Sequence, residues 1–181
     1  MKARLGDILR PTRALNTGNR YEPVAVGKYG IRHRDEIYKK QLASDFSKNK
    51  VIEYGSLIIG MGSTQIDIGV LCEDKIYCVS PAYHTYQIDT AKAFPAYLEL
   101  LLMAYNARFT KKYMIASARQ GKAVDLKGLL SEMIDLPNIT DQCQVVTRIQ
   151  AVKREIAARE DAINELGDLV KSLFNKRRAQ A

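Results

Sequence analysis

The chain has 181 residues, 46% of them hydrophobic, which is enough for the core of one ordinary domain and an appended segment. Its 28 Lys and Arg residues exceed its 20 Asp and Glu residues and give a formal net charge of +8. Residues 1–50 hold 12 of the basic and 5 of the acidic residues, so +7 of that charge lies there. This balance favours nucleic acid as a partner, and the alternative is a solvated basic surface.

The sequence gives little support to a metal site, an export signal or a membrane anchor. Cys72, Cys78 and Cys143 lack C-x-x-C spacing and only His33 and His84 could join them, so we expect no metal and no cofactor. The strand-like runs around Cys72 and Cys78 predict two buried thiols. The start of the chain has no signal-peptide stretch and no run reaches ~18 apolar residues, so we expect a cytoplasmic protein without a membrane span.

The first part of the chain reads as β-rich. Short apolar runs alternate with turns that contain Gly or Pro from residue 23 to residue 89. The predicted strands are a pair around a Lys-Tyr-Gly turn in residues 22–38, a buried strand in 54–62, a half-buried strand in 65–71, and a further pair in 75–89 interrupted at Pro81.

Helical patterns follow. Residues 94–118 are rich in Leu, Met and Ala, which predicts one helix or two helices that break near Thr110. A short helix or turn in 125–133 and a last strand in 133–137 come next. The fold class is therefore α+β: a mixed, β-rich domain followed by one long C-terminal coiled-coil helix.

The terminal helix is predicted to begin between Asn138 and Asp141. Asp141 and Gln144 have the spacing of a capping box, with Asp in place of Ser or Thr. We place the boundary near residue 140, which gives a recognition domain in 1–140 and a long helix for dimerisation in 141–181.

This helix carries a narrow apolar stripe that repeats every seven residues. Two apolar positions per heptad are typical of a two-stranded coiled coil and are fewer than a helix uses to pack on a globular core. The alternative is a helix folded back on its own domain. The residues of the predicted dimer interface are Val145, Ile149, Val152, Ile156, Arg159, Ile163, Leu166, Val170 and Leu173.

Arg159 favours an antiparallel pair of helices. It falls at heptad position d, and antiparallel core layers place d against a. Arg159 then meets Ile156 or Ile163 of a second copy and can reach Glu155 or Glu160. A parallel pair would stack the two arginines on each other.

Two motifs that contain Gly or Pro are similar to enzyme motifs, but each lacks residues that the enzyme motif requires. "GSLIIGMG" from Gly55 lacks the Lys and Ser/Thr of a phosphate-binding loop, and Gln65 stands where a dinucleotide fingerprint needs Gly. "SPAY" has Ala82 where the motif of amino-methyltransferases has its second proline. No nuclease centre or nucleophile elbow is visible either, so we predict no catalytic residue.

Four polar loops carry side chains that suit nucleic acid. Arg and Lys bind phosphate or guanine, Gln reads adenine, and neighbouring glycines let the backbone approach the duplex. Any one of these loops alone is better explained as an ordinary solvated loop. Four such loops on a basic domain favour DNA binding. The predicted DNA-binding residues are Lys28, Tyr29, Arg32, His33, Arg34, Ser63, Thr64, Gln65, Tyr83, His84, Arg119, Gln120 and Lys122.

The order of these segments resembles that of the specificity (S) subunits of type I restriction-modification enzymes, over nearly the whole chain. The matching blocks are "RLGDIL", "VAVGKYGIRHRDE", "GSLIIGMGSTQIDIGVL", "VSPAYHTYQI" and, most specific, "SARQGKAVDLKGLLSEMIDLPNITDQCQVVTRIQAVKREI". The last block looks like the end of a target recognition domain. It departs from the family's frequent "LPPLxEQ" at Asn138 and Asp141, and Lys122 stands where the loop often carries Arg.

The resemblance implies a non-catalytic subunit that recognises double-stranded DNA and directs adenine methylation and cleavage by methylation (M) and restriction (R) subunits. S subunits have two recognition domains, each followed by a helix, and the two helices pack antiparallel. This chain resembles half of that arrangement, either as a half-subunit that forms a homodimer through antiparallel C-terminal helices or as a fragment of a longer subunit. The alternative function is a stand-alone homodimeric DNA-binding protein, repressor-like or anti-restriction.

Overall fold

The computed structural model describes residues 2–37, 45–117 and 121–178. It divides into two compact units, Met1–Cys143 and Gln144–Ala181. Sheets and helices are mixed in the first unit, and a long helix occupies the second, which confirms the α+β fold class.

The strands are short and the helices vary widely in length. In chain order the strands are β1 (Lys2–Arg4), β2 (Leu9–Pro11), β3 (Val24–Gly27), β4 (Gly30–His33), β5 (Lys50–Ile52), β6 (Ser56–Met61), β7 (Ile66–Val70), β8 (Tyr77–Val79), β9 (His84–Ile88), β10 (Met114–Ser117), β11 (Gly121–Val124) and β12 (Met133–Asp135). The helices are α1 (Arg34–Ile37), α2 (Pro95–Tyr113), α3 (Leu126–Leu130) and α4 (Ile139–Arg178), with a 3-10 helix at Leu5–Ile8.

A four-stranded antiparallel sheet, in the order β2-β9-β6-β7, organises the first unit. One face packs against α2 through a core that includes Leu57, Ile59, Leu98 and Phe109. The other face packs against the β3–β4 and β5–β8 pairs, where Ile58 joins a second core. The alternation of side chains along β6 thus serves two cores, which explains why residues 54–62 read as a buried strand.

The structure agrees with the sequence-based prediction for the β3–β4 hairpin, β6, β7, α3 and β12. Other predictions differ from the structure, beginning with the strand pair in 75–89. The pair expected in 75–89 is wrong, because β8 pairs with β5 and β9 pairs with β2 and β6. The turn at Ser80–Tyr83, closed by a 3.1 Å bond from the Tyr83 N–H to the Ser80 carbonyl, carries the chain from one sheet to the other.

Of the two alternatives for residues 94–118, the single helix is correct and the break near Thr110 is wrong, since α2 continues to Tyr113. The Thr110 hydroxyl accepts a hydrogen bond from the Ile66 N–H at 3.1 Å, and the Asn106 side chain donates to the Ile66 carbonyl at 3.1 Å. Thr110 has a low helix propensity, and at this position its hydroxyl holds the start of β7.

The N-cap of α4 lies three residues earlier than its predicted position. Asn138, not Asp141, caps α4: its Oδ1 accepts from the Asp141 N–H at 2.9 Å, and its Nδ2 donates to the Asp141 carboxylate at 2.8 Å. Gln142 is fully buried in the next turn and bonds to Phe94, Lys92 and Pro137 backbone atoms. These bonds fix the beginning of α4 to the first unit's own connecting segments.

Of the two thiols expected to be buried, Cys78 is buried and Cys72 is exposed. The Cys78 sulfur lies 3.3 Å from the Asn16 amide and 3.5 Å from the Asn49 amide. The prediction fails at Cys72 because this residue follows the end of β7 rather than lying within it.

The second unit, residues 144–181, is helical through Arg178 and leaves much of its apolar stripe exposed in the single chain. Val152, Ile156, Ile163 and Leu166 are exposed by 54%, 51%, 67% and 62%. Arg159 forms an ion pair with Glu155 at 2.6 Å. The Leu173 side chain lies outside the described part. No helix in the described part combines the length and apolarity needed to cross a membrane.

Candidate DNA-binding surface

One end of the four-stranded sheet gathers polar residues from several segments. β6 and β7 are joined there by a turn in which the Gly62 N–H donates to the Gln65 carbonyl at 2.9 Å. β9 begins at the same end, with His84 opposite Ile59. β2 ends there, and the Thr12 N–H donates to the Thr85 carbonyl at 2.9 Å. Arg13 follows immediately.

The β10–β11 hairpin reaches the same place. Lys122 Nζ donates to the Ser63 carbonyl at 2.8 Å. A depression of about 410 Å³ opens between the β6–β7 turn and β11, lined by Met61, Gly62, Ser63, Gly121 and Lys122. Arg119 and Gln120, between β10 and β11, lie outside the described residues. We call the following residues the sheet-end cluster: Arg13, Lys50, Ser63, Thr64, Gln65, His84 and Lys122.

The basic side chains of the sheet-end cluster have no acidic partner among the described residues, and Lys50 lies close to both Arg13 and His84. Burial, and then the positive charge of Arg13, lower the pKa of Lys50. Burial, and then the charge of Lys50, lower the pKa of His84. Within the described residues, no carboxylate forms an ion pair with Arg13, Lys50, His84 or Lys122. The resulting positive potential is suited to an anionic ligand.

Sequence reasoning missed two members of this cluster, Arg13 and Lys50. Arg13 reaches the sheet end because β2 pairs with β9, more than 70 residues away in sequence. Lys50 opens β5 and donates from Nζ to the Tyr83 carbonyl. Their only signal in the sequence was membership of the basic first 50 residues.

A second group of cations surrounds the turn of the β3–β4 hairpin. The turn is tight, with Gly27 opposite Gly30, and Gly30 has a left-handed φ of 84°. Tyr29 is 61% exposed, and its ring centroid lies 5.4 Å from Lys28 Nζ and 4.8 Å from Arg32 Cζ. Together Lys28, Tyr29 and Arg32 form what we call the hairpin cluster, beside a depression of about 210 Å³.

The hairpin cluster and the sheet-end cluster lie toward opposite ends of β7. A Cβ on Gly30 would lie 3.3 Å from the Glu99 carboxylate, and that carboxylate is 3.7 Å from the sulfur of Cys72, which follows β7. The sheet-end turn instead precedes β7. Five strand residues separate the two ends by roughly 17 Å. The structure therefore does not bring all the predicted DNA-binding residues into one patch.

Three further predicted residues are engaged within the protein. The Tyr83 ring covers Gly60, where a Cβ would overlap it, and the Tyr83 hydroxyl donates to the Val26 carbonyl at 3.2 Å. The His33 ring packs edge-on against Tyr77, with centroids 5.6 Å apart. The Arg34 guanidinium lies 5.8 Å from the Phe46 ring centroid. For Tyr83, His33 and Arg34, contact with DNA stays a prediction.

Two of the three cations on α2 share an acidic partner. Arg108 and Lys112 both form ion pairs with Glu132, the latter at 2.8 Å, and the Tyr113 hydroxyl donates to the same carboxylate. Hydrogen bonds from Lys112 and then Tyr113 lower the pKa of Glu132. This group ties α2 to the segment before β12, and its two cations and one carboxylate leave a net charge of +1.

No protein-family model and no curated protein sequence matches the chain. Among solved structures, the HsdS subunit from Thermoanaerobacter tengcongensis matches with a TM-score of 0.58 and 19% identity, over 87% of this chain and 42% of that chain. A chain from a structure reported for complex assembly and conformational transition of the type I R-M system matches with a TM-score of 0.58 and 16% identity, over 96% of this chain and 43% of that chain.

This chain spans less than half the length of either solved relative. At these identities the likeness establishes architecture, over 87% and 96% of this chain. The chain therefore has the fold of HsdS chains of type I restriction-modification systems, as its sequence resemblance implied.

Proposed function

We propose that this chain is a DNA-binding specificity component of a type I restriction-modification complex. The observation that carries the proposal is the sheet-end cluster, whose cations come from separate segments and have no acidic partner among the described residues. Phosphate neutralisation by such cations supplies most of the affinity of a protein for duplex DNA.

The sheet end also offers groups that can read bases. Ser63 and Thr64 are exposed, and Gln65 is half-buried at the start of β7. The hydrogen bond from Lys122 to the Ser63 carbonyl joins the two hairpins, so a duplex would meet them as one surface. The hairpin cluster, at the other end of β7, adds the exposed ring of Tyr29 with the cations of Lys28 and Arg32 near it.

In this proposal the chain supplies recognition and the M and R subunits supply adenine methylation and cleavage. The fold of HsdS chains supports that division of labour. The direct test is to co-express the chain with its M subunit and map the methylated adenines. Methylation at one defined sequence, lost when the chain is omitted, is the expected result; methylation that is independent of the chain contradicts the proposal.

We further infer that α4 mediates an antiparallel homodimer. Its apolar stripe is more than half exposed at Val152, Ile156, Ile163 and Leu166, and burial of such side chains is worth about 1.5–3 kcal/mol each. Arg159 already pairs with Glu155, and in an antiparallel dimer it would not lie against Arg159 of the second copy. Ile156→Asp with Ile163→Asp should give monomers by light scattering, and a monomeric unmodified chain at micromolar concentration contradicts the dimer.

A homodimer would recognise an interrupted palindrome, because two identical domains related by a two-fold axis read the same sequence on opposite strands. α4 has 40 residues and is about 60 Å long, which sets an upper limit on the spacing. The half-site centres should lie about one to one and a half DNA turns apart. An asymmetric target would mean that a different chain supplies the second half.

The exposed stripe is equally compatible with a stand-alone DNA-binding or anti-restriction dimer. Affinity purification of the tagged chain from its own cells separates the two functions. Co-purification of a methyltransferase subunit supports the specificity component. A homodimer that binds its palindrome without such a subunit supports the stand-alone protein.

A further inference from the structure

Asp67 lies at the sheet end and has no partner for its carboxylate among the described residues. It lies on β7 opposite Gly60, and its neighbours Ile66 and Ile68 are buried in the core that faces α2. Because side chains alternate along a strand, Asp67 points to the other face of the sheet. It is half-buried, and in the described part of the chain it forms neither a hydrogen bond nor an ion pair.

This placement is unfavourable for the folded protein by itself. Burial raises the pKa of Asp67, since removing water from a carboxylate without a compensating donor destabilises its charged form. An asparagine at this position would avoid the cost. The carboxylate oxygens are not fully buried, so water reaches them, and a hydrogen-bond donor of a ligand can take the place of that water.

Gly62 leaves the space that this carboxylate occupies. A Cβ on Gly62 would lie 2.6 Å and 2.8 Å from the two carboxylate oxygens of Asp67. Gly62 does not have a left-handed φ, so an alanine would suit its backbone, and the three atoms nearest to the added Cβ all belong to Asp67. The same glycine lines the depression between the β6–β7 turn and Lys122. The carboxylate thus lies beside the opening where the sheet-end cluster would meet DNA.

The charge of Asp67 restricts what it can bind there. A carboxylate repels phosphate, so a DNA ligand can approach it favourably only with a hydrogen-bond donor. In the major groove those donors are the exocyclic amino groups of cytosine and adenine, and acidic side chains accept from cytosine N4. The sheet-end cluster thus has cations around the depression and one acceptor, Asp67, beside it. This arrangement is expected where phosphate contacts surround a base contact.

We propose that Asp67 is a specificity-determining residue that accepts a hydrogen bond from the exocyclic amino group of a base, with cytosine N4 as the expected donor. The proposal rests on the DNA-binding function proposed above and assigns one base position to a residue outside the four polar loops. Gly62 is its positioning residue.

The test is base preference in a pool of duplexes randomised across the target, selected by the full-length chain with its M subunit. The unmodified chain should prefer cytosine at one position by about tenfold to hundredfold. Asp67→Ala should remove the preference at that position and no other. Asp67→Asn should shift it toward adenine, because an amide pairs with adenine N6 and N7. Asp74→Asn removes the same charge from the exposed loop after β7 and should change no preference.

Affinity for unrelated duplex separates base reading from a role in folding. Asp67→Ala should leave that affinity unchanged or raise it, since a negative charge is lost, and should not lower the melting temperature. Gly62→Ala, which displaces the carboxylate, should weaken the preference at the same position as Asp67→Ala. A uniform loss across all sequences would indicate a structural role and overturn the proposal.

The outcomes also distinguish this proposal from the one it rests on. If the unmodified chain and its complex bind no DNA, both fail. If they bind DNA with a base preference and Asp67→Ala keeps every preference, the role of Asp67 alone is overturned. If they bind DNA without any base preference, both proposals fail.

Discussion

Basic side chains on two sides of the first unit have opposite surroundings. On α2, Arg108 and Lys112 both contact the Glu132 carboxylate, which ties the helix to the chain before β12. At the sheet end, Arg13 and Lys122 have no acidic partner in the described residues. Net charge alone does not distinguish these groups. Pairing does, because it separates cations that stabilise the fold from cations available to a ligand.

Reversing two charges at the sheet end should have the largest effect on DNA binding. Arg13→Glu with Lys122→Glu replaces two phosphate-binding cations by repelling carboxylates, and we expect a loss of about 100-fold in affinity for duplex DNA. Lys111→Glu with Lys127→Glu changes the net charge equally and should cost far less. Equal losses in the two double variants, measured by fluorescence anisotropy, would mean that only net charge matters.

Breaking the α2 network should affect stability and leave DNA binding unchanged. Glu132→Gln weakens contacts to Arg108, Lys112 and Tyr113, and we expect a loss of about 2 kcal/mol in the free energy of unfolding at pH 7. Since hydrogen bonding lowers the pKa of Glu132, its stabilisation is present above the unfolded value of 4.5 and is lost as pH falls through the folded value. The difference between variant and unmodified chain in urea denaturation should therefore shrink at pH 4 and below.

A stronger DNA affinity in Glu132→Gln at full folding would contradict the separation of the two groups. It would show that the α2 cations also face the duplex. The difference between the two groups would then be one of degree, with pairing on α2 reducing rather than removing a role in binding.

Two lysines offer a matched single-residue comparison. Lys122→Ala should lower DNA affinity about fivefold and reduce the slope of log affinity against log salt by ~0.9, as expected when one phosphate is no longer neutralised. Lys112→Ala should leave both quantities unchanged and lower stability instead, because Lys112 bonds to Glu132 at 2.8 Å. The reverse pattern in salt titrations would exchange the roles of the two sides.

His84 should give the smallest effect, visible only in pH dependence. Burial and the charge of Lys50 hold its pKa below the ordinary 6.5, and a bound phosphate would raise it. Binding then takes up a proton, so affinity should rise as pH falls from 7.5 and level off below the pKa of the free protein. We expect a change of about two- to threefold, absent in His84→Gln. The same pH dependence in His84→Gln would assign the proton to another group.

Local patterns in the sequence predicted much of the fold. The Lys-Tyr-Gly turn, the alternation in β7 and the heptads of α4 each depend on residues a few positions apart. The cap of α4 was misplaced because Asn138 and Asp141 both have suitable side chains three residues before a polar partner, and only the structure shows which one accepts the bond.

The candidate site was less predictable because its members meet through strand pairing. Arg13 joins His84 only since β2 pairs with β9, and Lys122 joins Ser63 only since two hairpins converge. Asp67 looked like the polar half of an alternating strand, and its missing partner is a property of the folded surroundings. Tyr83 was predicted to contact DNA, and in the structure its ring packs over Gly60 within the protein.

The salt dependence of DNA affinity tests the central claim most directly: that the unpaired sheet-end cations bind phosphates. With partner subunits present, affinity for the mapped target should fall linearly on a log–log plot. The slope should be smaller by ~1.8 in Arg13→Ala with Lys122→Ala, because this double variant leaves two phosphates without a cation. Binding that is flat between low and high salt, or a slope unchanged in this double variant, would contradict the account.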